Sequence, residues 1–579
     1  MKKSIIALFF AALLAAGCSN KAADTVIFGT VYTADTDTPS AEAIAVKDGK
    51  FVYVGNKEGA ESFIKEGVTE VIDHTGKGMV MPGCFEGHAH YLMGNSLGCM
   101  GGLMLDPLDD DVKSFFEKLK LAYSEAKQNG KSSIFGFGWN YQTFAEQGMP
   151  TREQLDAICP DVAVFIHDSE GHKSLANSVC LQNAGIIDAE GNVLKGEIRG
   201  GKICMDAAGK PDGLLLEQAV AYVRNKGVNF DEILTDEVAT QSISMAQQML
   251  LSNGYVSYMD GWTNFFGTMR FFDVASTLDT SGDLHILLGM TYEFDSSCDD
   301  VDAELARAFE NRKYTKGHIN ANYVKLFIDG TVEGGTGLTT EPYPDGHPGI
   351  ANWEEDEVTD ITGKANAQGF TMHIHTMGDG AVHRCVNAFE KKGSKEARNT
   401  LVHVRNMPQE DFKRVADNDI VVVSGMLWHV LPDEMWEPIK ALAPASVAWK
   451  SYPMKSYFDN GIVMTSHCDF PATSGSPYDP FSIMEIAVTG SCPYPGDPDR
   501  LTRPWWTEEL ITREQALQAL TVNGAWQMHC ENERGSIKVG KYADFLLINK
   551  DVMECPVQEI HNAKLVSTWF EGEKVYQTK

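Results

Sequence analysis

His88 and His90 stand one residue apart at the end of the stretch Met81-Pro82-Gly83-Cys84-Phe85-Glu86-Gly87-His88-Ala89-His90. In an extended strand, residues i and i+2 project from one face, so both imidazoles aim at a common point. Two converging imidazoles suit a divalent metal, and a metal makes a water acidic enough to act as a nucleophile near neutral pH. With 16 histidines in 579 residues such a pair is weak evidence alone. Its weight comes from Lys325, the pair His373 and His375, His403, and Asp469, each late in its own apolar run. A lone strand histidine is ordinarily a satisfied core residue, but this many polar side chains at the ends of separate strands reverse that expectation.

The runs that must position these residues cover 254–260, 285–290, 323–330, 370–375, 400–404, 419–424 and 462–466, with one more ending at His88. Eight strands alternating with helical patterns predict an α/β architecture, a (β/α)8 TIM-like barrel with its chemistry at the C-terminal strand ends. From about 98 to 251 the chain is too long for one helix and predicts an inserted subdomain. The insert carries Phe135-Gly136-Phe137-Gly138-Trp139-Asn140 and the polar cluster Glu170-Gly171-His172-Lys173-Ser174-Leu175-Ala176-Asn177-Ser178. Both chain ends read as strand and turn. Lys47-Asp48-Gly49-Lys50 lies between two apolar runs, a strong hairpin signal, and 543–548 and 563–576 continue the style. Each end is too short to bury a core alone, so 24–80 and 530–579 are expected to form one small β-sandwich domain around the barrel segment 81–529.

Taken together these residues resemble the amidohydrolase superfamily, and more closely its amidohydrolase-3, YtcJ-like branch. The likeness runs through Met81-Pro82-Gly83, Val324-Lys325-Leu326-Phe327-Ile328-Asp329-Gly330, His375-Thr376-Met377-Gly378-Asp379 and Asp469-Phe470-Pro471. It continues in Gln515-Ala516-Leu517 with Thr521, and in Arg534-Gly535-Ser536-Ile537 through Gly540-Lys541-Tyr542-Ala543-Asp544. His172 and Asn177 look like that branch's Gly-His…Asn-Ser element. Two positions depart from the pattern: Glu86 where aspartate is frequent, and His467-Cys468 before Asp469 where Gly-Ser is common.

The resemblance implies that His88, His90, His375, His403 and Asp469 hold one or two zinc ions, Asp469 also accepting the water's proton. An ammonium cannot ligate a metal; the family answer is a Lys325 carboxylated by carbon dioxide and bridging two ions, against an ordinary lysine paired with Asp329. His373, one pleat deeper, is assigned to support. His172 and Asp329 are assigned to the substrate. The expected activity is metal-dependent hydrolysis of a C–N bond in an amide, N-formyl compound or cyclic amide. Ester, lactone or phosphoester hydrolysis by the same site is the alternative within enzymes, and a non-catalytic solute-binding lipoprotein the alternative outside them.

The formal net charge of −31, from 49 basic and 80 acidic residues, argues against nucleic acid or anionic lipid as a partner; a small-molecule substrate is what the resemblance implies. Hydrophobic residues make up 43% and charged residues 22%, a globular composition. Met1-Lys2-Lys3 followed by an apolar run from Ile5 to Ala16 is built like a secretory signal, too short to remain as a membrane helix. Leu14-Ala15-Ala16-Gly17-Cys18 resembles a bacterial lipobox: residues 1–17 would be removed, Cys18 lipidated, and 18–23 would tether the protein to the cell envelope. Serine after the cysteine implies the outer membrane in a Gram-negative cell. The other eleven cysteines are scattered without a Cys-x-x-Cys, which excludes a zinc knuckle or thioredoxin-like motif and leaves any disulfide pairing open.

Overall fold

The structure, a computed structural model, describes residues 22–100, 103–106, 111–139, 144, 148–169, 171–298, 300–430, 443–444, 451–472, 478–493 and 506–579. Cys18 and Asn140, and the whole leader, lie outside the described residues. Eight parallel strands form the central sheet in spatial order of sequence. They are Cys84–Ala89, Tyr255–Asp260, Leu287–Glu293, Ile319–Phe327, Thr371–Thr376, Thr400–His403, Val421–Ser424 and Met464–Ser466. Every residue of the first three is buried, as expected where helices cover one face and a packed interior fills the other. Val324, Leu326, Met372 and Ile374 join the main apolar core. Period-two alternation therefore turns Lys325, His373 and His375 to the opposite, axial face.

No regular ladder joins the first and eighth strands among the described residues, and polar contacts close the seam. Asp469 N–H donates to the His88 carbonyl at 3.3 Å and His90 N–H to the Phe470 carbonyl at 2.8 Å. Lower down, the Gln527 amide donates to the Gly87 carbonyl at 2.9 Å and accepts from the Thr465 hydroxyl at 3.0 Å. Gly87 is required here, because an added Cβ would stand 2.7 Å from the Ser466 carbonyl oxygen.

Between the first two barrel strands the chain builds a six-stranded sheet from segments within Leu103–Met104 to Pro211–Glu217. It leads into helix Gln218–Gly227 and then helix Asp236–Ser252, whose N-terminus is capped by Thr235. The chain ends share one eight-stranded sheet, in which Phe545–Ile548 pairs antiparallel with Met79–Pro82. Asp48 and Gly49 turn its first hairpin with φ of 48° and 76°, the pair of left-handed residues that a tight hairpin prefers. Phe51 and Phe545 lie four strand positions apart, roughly 19 Å in a flat sheet at ~4.8 Å per strand, yet their ring centroids are 6.0 Å apart. The sheet therefore folds back on itself into two layers around Ile27, Ile44, Phe51, Phe545 and Trp569. No helix among the described residues is long and apolar enough to cross a membrane, and no disulfide joins any two of the eleven described cysteines.

Candidate metal centre

The C-terminal ends of barrel strands one, four, five, six and eight bring His88, His90, Lys325, His375, His403 and Asp469 to one buried place. His88 Nε2 and His90 Nε2 lie 3.5 and 3.3 Å from Asp469 Oδ1. One ligand atom each of His88, His403 and Asp469 lies within 4.8 Å of the others, a spacing that small side-chain shifts close onto a metal with bonds of ~2.1 Å. His88 Nε2, His90 Nδ1, His403 Nδ1, Lys325 Nζ and Asp469 Oδ1 are buried with no hydrogen-bond partner. Orphaned polar atoms at this density cost too much to remain unsatisfied; nitrogen and carboxylate donors in such a cluster fit a zinc-type ion.

The surrounding contacts fix how each side chain is presented. His373 Nε2 is 2.8 Å from His88 Nδ1, so the deeper histidine holds one edge of the His88 ring and frees Nε2 for the centre, as a metal ligand's outer neighbour does. Asp329 plays the same part for His375, its Oδ1 lying 3.2 Å from Nδ1. Three backbone amides, from Leu338, Met377 and Gly378, donate to the same carboxylate at 3.0, 3.0 and 2.7 Å. Asp329 thus orients a candidate ligand as well as reaching the wall of the cavity described below. Glu86 Oε1 accepts the amides of both His88 at 3.2 Å and Cys468 at 3.0 Å, tying strand one to strand eight under the cluster. His403 and Val404 adopt φ of 72° and 45°, an outlier for β-branched valine that costs about 1–3 kcal/mol. The Val404 amide donating to the Thr376 carbonyl at 3.0 Å and the Tyr457 hydroxyl donating to the Val404 carbonyl at 2.8 Å hold it there.

Electrostatics follow from burial. Desolvation brings the Lys325 ammonium down to about 7, against the pull of Asp469, Glu293 and Asp260. A substantial fraction of this amine is therefore neutral near pH 7, the form whose lone pair can attack carbon dioxide. Burial pushes Glu86 up to about 8. For Asp469 burial acts upward too, but the close His90 ring and the positive field of His467 and Lys325 outweigh it and hold the carboxyl below its ordinary range.

Two site residues escaped the sequence reading. His467 is buried, its ring centroid 4.9 Å from that of His403 and 5.9 Å from that of His88, and neither nitrogen has a partner. Trp428 stacks on His403 at 5.6 Å and meets His467 edge-on at 4.7 Å. The spacing of His467, two before Asp469 just past the eighth strand, was the available signal; nothing in the sequence marked Trp428.

His172 sits on the insert, its Nδ1 3.0 Å from Glu217 Oε2. It lines a cavity of about 60 Å³ with Phe327 and Asp329 from the fourth barrel strand and its extension, and the Phe327 ring lies 5.1 Å from that of His375. A larger cavity of about 560 Å³ adjoins it, with Glu293 in both walls. Loops over a barrel mouth set specificity. His172→Ala is accordingly expected to raise KM or lower kcat about tenfold with metal content unchanged; elemental analysis beside steady-state kinetics checks this, and loss of metal would reassign the residue.

The chain matches known proteins along most of its length. Residues 70–576 match the Amidohydrolase family. The chain belongs to that family. A putative amidohydrolase, YtcJ, of Bacillus subtilis (strain 168) is 25% identical over 564 residues, covering 95% of this chain and 98% of that protein. The N-substituted formamide deformylase of Arthrobacter pascens is 24% identical over 574 residues, covering 95% and 98%. Among solved structures, an uncharacterized metal-dependent hydrolase of Pyrococcus horikoshii OT3 superposes with a TM-score of 0.69 at 21% identity, covering 92% of this chain and 99% of that one. The amidohydrolase-type barrel and the YtcJ-like kinship expected from the motifs both hold.

Proposed function

We propose that the protein is a metal-dependent hydrolase of a C–N bond in a small amide, N-formyl compound or cyclic amide. The observation that carries the reading is the convergence of His88 Nε2 and His90 Nε2 on Asp469 Oδ1 inside a barrel mouth. The likeness to a formamide deformylase supports the choice of bond. His88, His90, His375, His403 and Asp469 would hold one or two zinc ions, with a carboxylated Lys325 joining them. When bound, the metal supplies an acidified water and polarises the scissile carbonyl.

The chain's own residues do the rest. Asp469, ionised at neutral pH, takes the proton released as water attacks and returns it to the leaving nitrogen, which departs poorly unless protonated. His373 and Asp329 keep the His88 and His375 rings turned to the centre, while Trp428 stacks over His403 and limits solvent there. The test is elemental analysis combined with a hydrolysis screen of N-formyl, N-acyl and cyclic amides. Metal-loaded protein that turns over esters but none of these amides would overturn the proposal.

We also propose that Cys18 is lipidated and anchors the protein to the cell envelope, on the strength of the lipobox-like Leu14-Ala15-Ala16-Gly17-Cys18. In Cys18→Ala, detergent-phase partitioning is expected to collapse. Unchanged membrane association would remove the anchor.

A further inference from the structure

We infer that the cavity beside His172 is a subsite for an anionic substituent of the substrate, a carboxylate held by Arg224. Arg224 belongs to helix Gln218–Gly227 of the insert and is 1% exposed. Its guanidinium lies 3.9 Å from the Phe265 ring centroid and 4.8 Å from that of Trp262. These rings pack on the guanidinium and leave its edge donors for hydrogen bonds. Nε donates to the Asn225 side chain at 3.1 Å, but Nη2 is buried with no partner. No carboxylate of the described residues is within ion-pair distance of it. The charges of Glu293 and Asp295 act on it only from beyond that distance, and a buried guanidinium without a contact partner is expensive; a ligand carboxylate on Nη2 would supply the direct pair that the protein's own acids do not make.

Two more unpartnered polar atoms belong to side chains lining the same cavity: Gln218 Oε1, from the first residue of the Arg224 helix, and Asn352 Oδ1, from the segment after the fourth barrel strand. Both amides can accept N–H groups or, turned over, donate. The three orphans come from the insert and the barrel alike. They share the cavity with Phe327 and Asp329, which touch the candidate ligand His375. At about 60 Å³ the space exceeds the ~10–15 Å³ that one water needs, leaving room for a carboxylate. Glu293 and Asp329 line the cavity too, but the first accepts from the Trp262 indole and the second from three backbone amides; Glu217 also lines it, its carboxylate engaged by His172. Its φ of 52° at the start of the helix is a rarely populated backbone state of the kind found at ligand clamps.

Resting on the hydrolase reading above, the inference narrows the substrate to small amides or N-formyl compounds that carry a carboxylate a few bonds from the scissile C–N bond. Guanidinium and carboxylate match as a two-point fork. Neutral analogues would leave the Arg224 charge unpaired and bind more weakly.

The test uses a probe that resists hydrolysis, so that it stands whether or not the amidase reading survives. Metal-loaded, full-length protein is titrated calorimetrically with N-methanesulfonylglycine and with its methyl ester. Wild type is expected to bind the acid roughly 30-fold or more tighter than the ester, as removal of one partner of a buried charge pair implies. In Arg224→Met, which keeps the apolar stem against Trp262 and Phe265, the two should bind alike, with metal content and melting temperature at wild-type values. Arg224→Lys should keep a reduced preference. An acid-to-ester ratio near one in wild type overturns the subsite without recourse to any variant; so does a ratio unchanged in Arg224→Met. Absence of turnover on every amide, with the acid preference intact, would sink the hydrolase reading and leave the subsite standing.

Discussion

Asp469→Asn is expected to lower kcat by on the order of 10²–10⁴, the usual worth of a positioned general acid–base group, while most of the metal stays bound. Asparagine keeps the shape and one oxygen, so it can still face His88 and His90, whose Nε2 atoms stand 3.5 and 3.3 Å from the present carboxylate. It cannot take a proton. The backbone at this position has φ of 52°, a conformation asparagine tolerates as well as aspartate, so the fold should survive. Elemental analysis and turnover on whichever amide the wild type accepts decide the matter. Near-normal kcat with metal bound would take Asp469 out of the proton transfer, and complete loss of metal would make it primarily a ligand.

Gly261→Ala should damage the centre from the outside. Gly261 directly follows the second barrel strand, and a Cβ there would stand 2.0 Å from His88 Cε1, 2.5 Å from Nδ1 and 2.8 Å from Nε2. No real contact is that short. The His88 ring cannot swing aside freely, because His373 holds Nδ1 at 2.8 Å and the ring is fully buried. Disturbing a ligand's orientation costs on the order of 10–100-fold in metal affinity, and a direct clash should reach the upper end. A competition titration with a chromogenic chelator measures it, with melting temperature of the metal-free protein as the control. Wild-type affinity in Gly261→Ala would mean that His88 is not a ligand.

The contrast between these two residues marks what the sequence carried. The barrel was legible because its strands are buried on both faces and so appear as near-continuous apolar runs ended by polar residues; His375, His403 and Asp469 stand at such ends. The hairpin at Asp48-Gly49 was legible because its turn chemistry is local. Gly261, Glu86 and Arg224 take their places from His88, Cys468 and the Trp262 and Phe265 rings, all distant in the chain, and no local pattern announces which glycine faces a ring or which arginine makes no contact ion pair. His467 lay in view beside Asp469, but its packing against His403 depends on barrel shear, which sequence spacing does not encode. Asp329 showed its charge in the sequence, while its hold on three backbone amides and His375 emerged only with the loops in place.

The pairing of Met79–Pro82 with Phe545–Ile548 bears on how the protein is made. During synthesis the first five strands of the chain-end sheet emerge early, but the partner of their inner edge is almost the last segment to appear. At ~5–20 residues per second, translation of the intervening chain takes roughly half a minute or longer. Throughout that interval Met79, Val80 and Met81, fully apolar and destined for burial, present an unsatisfied strand edge of the kind that recruits other chains. Nascent molecules stalled or truncated before residue 545 should therefore associate through this edge, and a holdase that shields exposed strands would raise the yield of full-length protein more than one that acts after release.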